Sequence, residues 1–255
     1  MQKTTTNQIK EVLKKINIRA QDPVIFVHSG LFPFGIIEGG LNNITELLFE
    51  WVGSSGTIIM PTFTFKGGST WNQSETRSET GVLTEYFRKL PEVYRTIHPL
   101  HSVSAYGKLA NILTCDIEDS SFGPHSIFAK LYEYDALNLS LGTEFEGGAT
   151  YLHFIEELTQ VPYREYIQLN KKIICSNELA KDIKFKYFAR KANTEFEWEN
   201  DWNRLWLDFQ RENLFQIQYI GNAKIMHSSI KNAGSYFLKK LEKDRYYCAK
   251  KISKV

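Results

Sequence analysis

With 255 residues, 42% hydrophobic and 24% charged, the chain is sized for one large domain, or for a main domain with a smaller lobe. A formal net charge of +2, with no basic stripe interleaved with aromatics, argues against nucleic acid as a partner. Three scattered cysteines (Cys115, Cys175, Cys248) without a CxxC argue against a disulfide framework or a metal site and suit a reducing compartment.

Residues Met1 to Lys15 carry no apolar core of the kind a signal peptide needs, and no apolar run is long enough to span a bilayer. A cytoplasmic protein is expected. Ile9, Val12, Leu13 and Ile16 share one stripe, which predicts a helix over Asn7 to Ile16. Val24 to Val27 reads as a buried strand ended by His28-Ser29-Gly30, and Gly40 to Trp51 as an amphipathic helix. Thr57 to Met60 is a second buried strand, stopped by Pro61. Thr62 to Ser78 reads as a long aromatic loop, and loops of that length are usually functional.

Val82 to Leu90, Lys108 to Leu113 and Ile127 to Tyr132 are predicted helices, and Val103 to Tyr106 and Ala136 to Leu141 predicted strands. Strands and helices alternating at these lengths give an α/β layered fold. Beyond Val161 the segments Tyr163 to Leu169, Lys171 to Cys175 and Lys184 to Ala189 alternate as half-buried antiparallel strands do. A helix over Trp202 to Arg211, a strand over Phe215 to Ile220 and a helix over Ser228 to Lys243 follow. A soft boundary is placed near residue 160, dividing a catalytic region (1–160) from a smaller lobe (161–255) that contributes to acceptor binding. The C-terminal lysines (Lys239, Lys240, Lys243, Lys250, Lys251, Lys254) read as a solvated surface.

No P-loop, GxGxxG, GxSxG or HExxH is present. Gln218-Tyr219-Ile220-Gly221-Asn222-Ala223 fits a Q-x-x-G-x-A pattern that elsewhere cradles a pyrophosphate, but Gly221 reads more simply as a turn residue.

The segment that carries chemistry runs from Leu139-Ser140-Leu141-Gly142 to Thr150-Tyr151-Leu152-His153-Phe154-Ile155-Glu156-Glu157. A strand ends, a glycine-containing loop follows, and a helix is expected near Thr150, at the end of the sheet where α/β proteins place ligands. Thr150, His153 and Glu156 recur every three residues, so Thr150 and Glu156 flank His153 on a helix. Glu156 or Glu157 can hold one imidazole nitrogen and leave the other as a base. Thr150 can offer its hydroxyl to an oxyanion.

Several ordered blocks resemble the aminoglycoside 3-N-acetyltransferase family. They are Val27-His28-Ser29-Gly30-Leu31 with Gly35 and Gly39-Gly40, then Gly56-Thr57-Ile58-Ile59-Met60-Pro61-Thr62-Phe63-Thr64. Gly81…Glu85…Arg88, Arg95…His98-Pro99…Ser102…Gly107, Phe122-Gly123-Pro124-His125-Ser126 and Leu141-Gly142…Thr150…His153…Glu156 complete the series. Two features depart from it: Gly30 stands where the family has a second serine, and residues 173–211 match poorly.

The resemblance implies the layered sheet-and-helix acetyltransferase fold of that family with a smaller C-terminal lobe, and acetyl-coenzyme A as co-substrate. It implies direct transfer without a covalent intermediate, His153 taking the proton of the acceptor amine. Glu156 would orient His153, and Thr150 would stabilise the tetrahedral intermediate. His28, Ser29, Gly30 and Leu31 would hold the pantetheine arm or thioester, and Ser102 and Ser126 would donate to the coenzyme. His98 is read as a structural residue beside Pro99.

Aminoglycosides are polycations, whereas this chain is slightly basic. Its second part carries Lys171, Lys172, Lys181, Lys184, Lys186, Arg190 and Lys191, with Tyr187, Phe188, Trp198 and Trp202 available for stacking on a base. The expected acceptor is therefore a nucleotide-linked amino sugar of polysaccharide synthesis. Antibiotic acetylation is the alternative, and a non-catalytic coenzyme- or sugar-binding relative is a third reading. A monomer or homodimer is expected, with no metal, membrane or nucleic acid.

Overall fold

Near-continuous apolar runs suit strands covered on both faces, and β1 (Val24–Ser29) is such a run. Val24 and Phe26 point into one hydrophobic cluster, Ile25 and Val27 into another on the opposite face. Full burial of a side chain such as Phe26 contributes about 1.5–3 kcal/mol. The computed structural model describes residues 2–253 except 19, 67, 116–118, 176–177 and 182–183, and of residues 178–181 the backbone alone.

Around β1 lie β2 (Thr57–Pro61), β3 (Tyr94–Arg95), β4 (Val103–Gly107) and β5 (Leu137–Leu141). The second part of the chain supplies β6 (Arg164–Leu169), β7 (Phe185–Arg190), β8 (Phe196–Asn200), β9 (Gln216–Ile220), β10 (Ala223–Ser229) and β11 (Ala249–Ser253). Among the described residues the central sheet has seven strands in the order β9-β10-β5-β1-β2-β4-β3. β1 runs parallel to β2 and β5, and the other neighbours are antiparallel.

Helices α1 (Thr6–Lys15), α2 (Gly40–Val52) and α3 (Val82–Phe87) bury Ile9, Leu13, Leu48 and Phe87 against one face. A short helix, α4 (Ala110–Thr114), follows β4. The helices α5 (Ile127–Glu133), α6 (Leu152–Leu158), α7 (Trp202–Arg211) and α8 (Ile230–Lys243) bury Phe128, Ile155, Phe209 and Phe237 against the other face. This is the layered α/β architecture expected from the sequence.

Beyond residue 160 the chain divides. β6 and β7 pair antiparallel as a satellite, and β8 pairs with β11, a pairing that no local pattern announces. Residues 216–243 instead return to the central sheet. The long loop after β2 carries a short strand, Thr70–Asn72, parallel to Lys172–Cys175. Trp71 is fully buried there with Ile173 and Phe185.

One expected helix begins too early. Ser228 lies in β10, and α8 starts at Ile230 with the Ser229 side chain capping Asn232 N. The hydrogen-bonding demands of β5 win over the helix-compatible pattern, because β10 supplies its outer partner. The Q-x-x-G-x-A segment is the tight turn between β9 and β10, with Gly221 at φ +56°, a turn residue as read. Lys254 and the Lys181 side chain lie outside the described residues. Among the described residues no helix is long and apolar enough to cross a membrane, and no cluster of three His, Cys, Asp or Glu could hold a metal ion.

Candidate active site

The chain leaves β1 toward β2 on one side, while β5 joins β1 on the other. The carboxyl ends of β1 and β5 therefore border a topological switch point, the usual ligand crevice of such sheets. Two glycines let these ends approach. Gly30 N donates to Leu141 O at 2.8 Å, and a Cβ on Gly142 (φ +72°) would fall 2.3 Å from Gly30 O.

α6 begins at Leu152, so Thr150 and Tyr151 form the turn that leads into it rather than its first residues. His153 N still bonds Thr150 O at 3.1 Å, which keeps Thr150 one turn ahead of the imidazole. The spacing of three brings His153 Nδ1 onto Glu156 Oε2. The carboxylate accepts there, so Nδ1 carries the proton and Nε2 is left as the basic nitrogen. Glu157 has other partners, since its Oε1 accepts from Ser120 Oγ at 2.6 Å and from Tyr166 OH at 3.2 Å. Glu156 is thus the carboxylate on the imidazole.

Glu156 is 1% exposed and has three donors. Besides His153, Tyr163 OH donates to Oε1 at 2.6 Å, and Arg164 Nη2 stands 3.0 Å from Oε2. Burial pushes its carboxyl up, but the Arg164 guanidinium, His153 and these hydrogen bonds outweigh that and hold it at about 2. Arg164 is fixed in turn by Asn200 Oδ1 at 3.1 Å and the Phe188 carbonyl at 3.1 Å. His153 is lowered below its ordinary 6.5, first by burial and then by Arg164, against the raising effect of Glu156. The imidazole is therefore neutral near pH 7, the state a proton acceptor needs. Its ring lies between Phe122 (5.3 Å) and half-buried Trp202 (5.7 Å).

Sequence reasoning misses Arg164, Tyr163 and Asn200 as members of the site, and it names Trp202 only as a stacking residue for the acceptor and Phe122 only within a family block. They come from several distant segments, and the only local signal is an arginine opening an alternating strand.

At the expected coenzyme turn the residues separate. Among the described residues Ser29 Oγ and Thr143 Oγ1 are buried without hydrogen-bond partners, and Gly30 and Gly142 leave the backbone open to close approach, so this turn fits a thioester arm. Leu31 packs toward the α1–α2 side of the sheet. The His28 side chain points into the core instead. It is 3% exposed, lies edge-on to Phe26 at 4.4 Å, and burial lowers it to about 3.

Ser102 is a correction: it is fully buried, its hydroxyl donates to Thr62 O at 2.7 Å, and it accepts from Arg95 Nε at 3.1 Å. It ties β4 to the end of β2, and its hydroxyl is engaged with buried partners. Ser126 caps α5 by accepting from Ala129 N at 3.3 Å. His98 Nδ1 accepts from Leu100 N and His101 N, an anchor for the turn after Pro99.

The model of the family described as aminoglycoside 3-N-acetyltransferase matches residues 26–242. The chain is 29% identical over 195 residues to an SPbeta prophage-derived aminoglycoside N(3')-acetyltransferase-like protein, YokD, of Bacillus subtilis (strain 168), covering 67% of this chain and 70% of that one. It superposes at TM-score 0.80 and 20% identity on the aminoglycoside acetyltransferase AAC(3)-IVa in complex with a gentamicin, over 97% of this chain and 92% of that one. With AAC-IIIb bound to CoASH the TM-score is 0.77 at 20% identity, over 94% and 97% of the two chains.

Proposed function

From the premise that this chain belongs to the aminoglycoside 3-N-acetyltransferase family, and so is an acetyl-CoA-dependent N-acetyltransferase, we propose that it acetylates an amino group of an aminoglycoside-type amino sugar with His153 as general base. The observation that carries this reading is the buried Glu156 carboxylate on His153 Nδ1, which fixes a neutral imidazole with Nε2 free.

An ammonium has no lone pair, so the acceptor reacts as the neutral amine, its first proton having gone to solvent, and Nε2 takes a second proton as the nitrogen attacks the thioester carbonyl carbon. The carbon–nitrogen bond forms while the carbonyl oxygen becomes an oxyanion, which the Thr150 hydroxyl stabilises. Collapse breaks the carbon–sulfur bond. The imidazolium returns its proton to the departing thiolate, giving an amide, free coenzyme A and neutral His153. Ser29 Oγ, the backbone of Gly30 and Leu31, and Ser126 hold the coenzyme.

The acceptor assignment is drawn from the relatives, since AAC(3)-IVa is described with a gentamicin and with apramycin. The basic second half gives less support to a nucleotide-linked sugar than composition implied. Lys186 lies 3.4 Å from Asp119 and over the Tyr166 ring, and Phe188 is core. Trp198 packs on Tyr246 and Tyr163. Trp202 alone of the expected stacking residues touches the His153 ring.

Free thiol is followed with acetyl-CoA and a panel of amines. Release with aminoglycosides and its loss in His153→Asn is expected. Release only with nucleotide-linked amino sugars would overturn the acceptor assignment, and full turnover by a folded His153→Asn protein would overturn the base.

A further inference from the structure

A second imidazole stands on the same aromatic wall as His153. The Phe122 ring lies 4.8 Å from His101 and 5.3 Å from His153, measured between ring centroids. The two imidazoles and Arg164 interact electrostatically. Phe63 meets the His101 ring edge-on at 5.1 Å, so the ring is clamped on two sides.

The hydrogen bonds behind it determine which of its nitrogens carries the proton. His98 Nδ1 accepts two backbone N–H groups, from Leu100 at 3.2 Å and His101 at 2.9 Å, so it is unprotonated. Burial keeps His98 neutral, which leaves the proton on Nε2. Nε2 faces Ser121 Oγ at 3.2 Å and the Lys186 carbonyl, both acceptors for that proton. The Ser121 hydroxyl cannot donate back to His98, and its other hydrogen-bond partner among the described residues is His101 Nδ1 at 2.8 Å, so the hydroxyl hydrogen is directed there and Nδ1 is the acceptor. A neutral His101 then carries its proton on Nε2.

Nδ1 faces the buried Ser121, while His101 as a residue is only partly buried. Nε2 has no hydrogen-bond partner among the described residues and is not one of the buried unpartnered atoms.

We propose that His101 is a substrate-binding residue whose Nε2–H, fixed by the His98–Ser121–His101 chain, donates to an oxygen of the bound substrates. That oxygen is either the acetyl carbonyl or a sugar hydroxyl. A neutral imidazole locked in one tautomer is a preorganised donor, because no solvent or proton rearrangement precedes the reaction. His98 and Ser121 are positioning residues and touch no substrate. The proposal rests on His153 being the base.

The test compares His153→Asn, His101→Phe, His101→Gln and Ser121→Ala in the thiol-release assay, with melting temperature measured for each. If His153→Asn turns over normally, the site itself is misread and this inference falls with it. If His153→Asn is inactive and His101→Phe keeps kcat and KM within about twofold, only the present inference is overturned. The expected result is a fall of roughly 10²–10³-fold in His101→Phe, as for removal of an oxyanion donor, with partial recovery in His101→Gln.

A fall in kcat assigns the acetyl oxygen, and a rise in acceptor KM assigns the sugar hydroxyl. A loss that follows only the melting temperature, and disappears on cooling, overturns both assignments. Independently of activity, nitrogen-15 NMR should show His101 protonated on Nε2, and the second tautomer should appear in Ser121→Ala. A parent protein protonated on Nδ1 refutes the chain.

Discussion

Glu156→Gln changes one oxygen to nitrogen in the most charged buried spot of the site, and its consequences can be worked through. The carboxyl is held at about 2 against an ordinary 4.5, and at about 1.36 kcal/mol per pH unit that difference stabilises the fold by about 3 kcal/mol. Because the folded value is depressed, the contribution is complete above pH 4.5 and fades as pH falls toward 2. Glutamine removes it and strands the Arg164 guanidinium, whose side chain is 8% exposed, without its carboxylate. Breaking one partner from a buried pair costs about 3–5 kcal/mol, in agreement.

The amide can still accept from His153 Nδ1 but no longer stabilises an imidazolium, so kcat falls by about 10²–10⁴-fold, the upper bound being that of a serine-protease aspartate replaced by asparagine. Urea unfolding from pH 3 to 8 and thiol-release kinetics read the two effects separately. The parent should lose stability below pH 4.5 with a steeper dependence than the variant. A variant with turnover within tenfold of the parent and an unchanged urea midpoint would refute the assignment of Glu156 and the energetics together.

Arg164→Gln removes a cation that lowers His153, so the acid limb of kcat, measured at saturating acceptor, should move to higher pH; a limb that stays put refutes the electrostatic coupling. Ser102→Ala should leave KM for acetyl-CoA unchanged while costing about 1–3 kcal/mol by urea melt, because its hydroxyl serves only buried partners; a tenfold rise in that KM would restore it to the coenzyme site. Gly142→Ala combines a left-handed backbone with a 2.3 Å approach to Gly30 O, and should cost at least about 2 kcal/mol and impair turnover. Gly53→Ala, at a similar φ but with nothing within 4 Å, is the control and should cost about 1 kcal/mol; equal effects would remove the argument from close approach.

The strands of the first half were legible because β1, β2 and β5 are apolar runs bounded by glycine or proline, and their predicted ends fall within two residues of those observed. The His153–Glu156 pair was legible because it is local: a spacing of three on a helix decides it. Arg164, Asn200 and Trp202 were not, since their contact with His153 or Glu156 depends on how β6, β8 and α7 fold over the sheet. Ser102 misled for the opposite reason. A serine in a shared motif says nothing about which way its side chain faces, and here it faces Thr62 and Arg95. β10 was hidden because His227, Ser228 and Ser229 dilute its apolar pattern, and only the need of β5 for an outer neighbour reveals it.

That neighbour has a consequence for biosynthesis. β5 leads directly into the turn before His153, yet the strand that closes its open side spans residues 223–229, a long way further along the chain. Until those residues have been made, β5 has bare amide and carbonyl groups along that side, a template for pairing with another nascent copy. Truncations before residue 223 are expected to yield aggregates rather than a weakened catalyst.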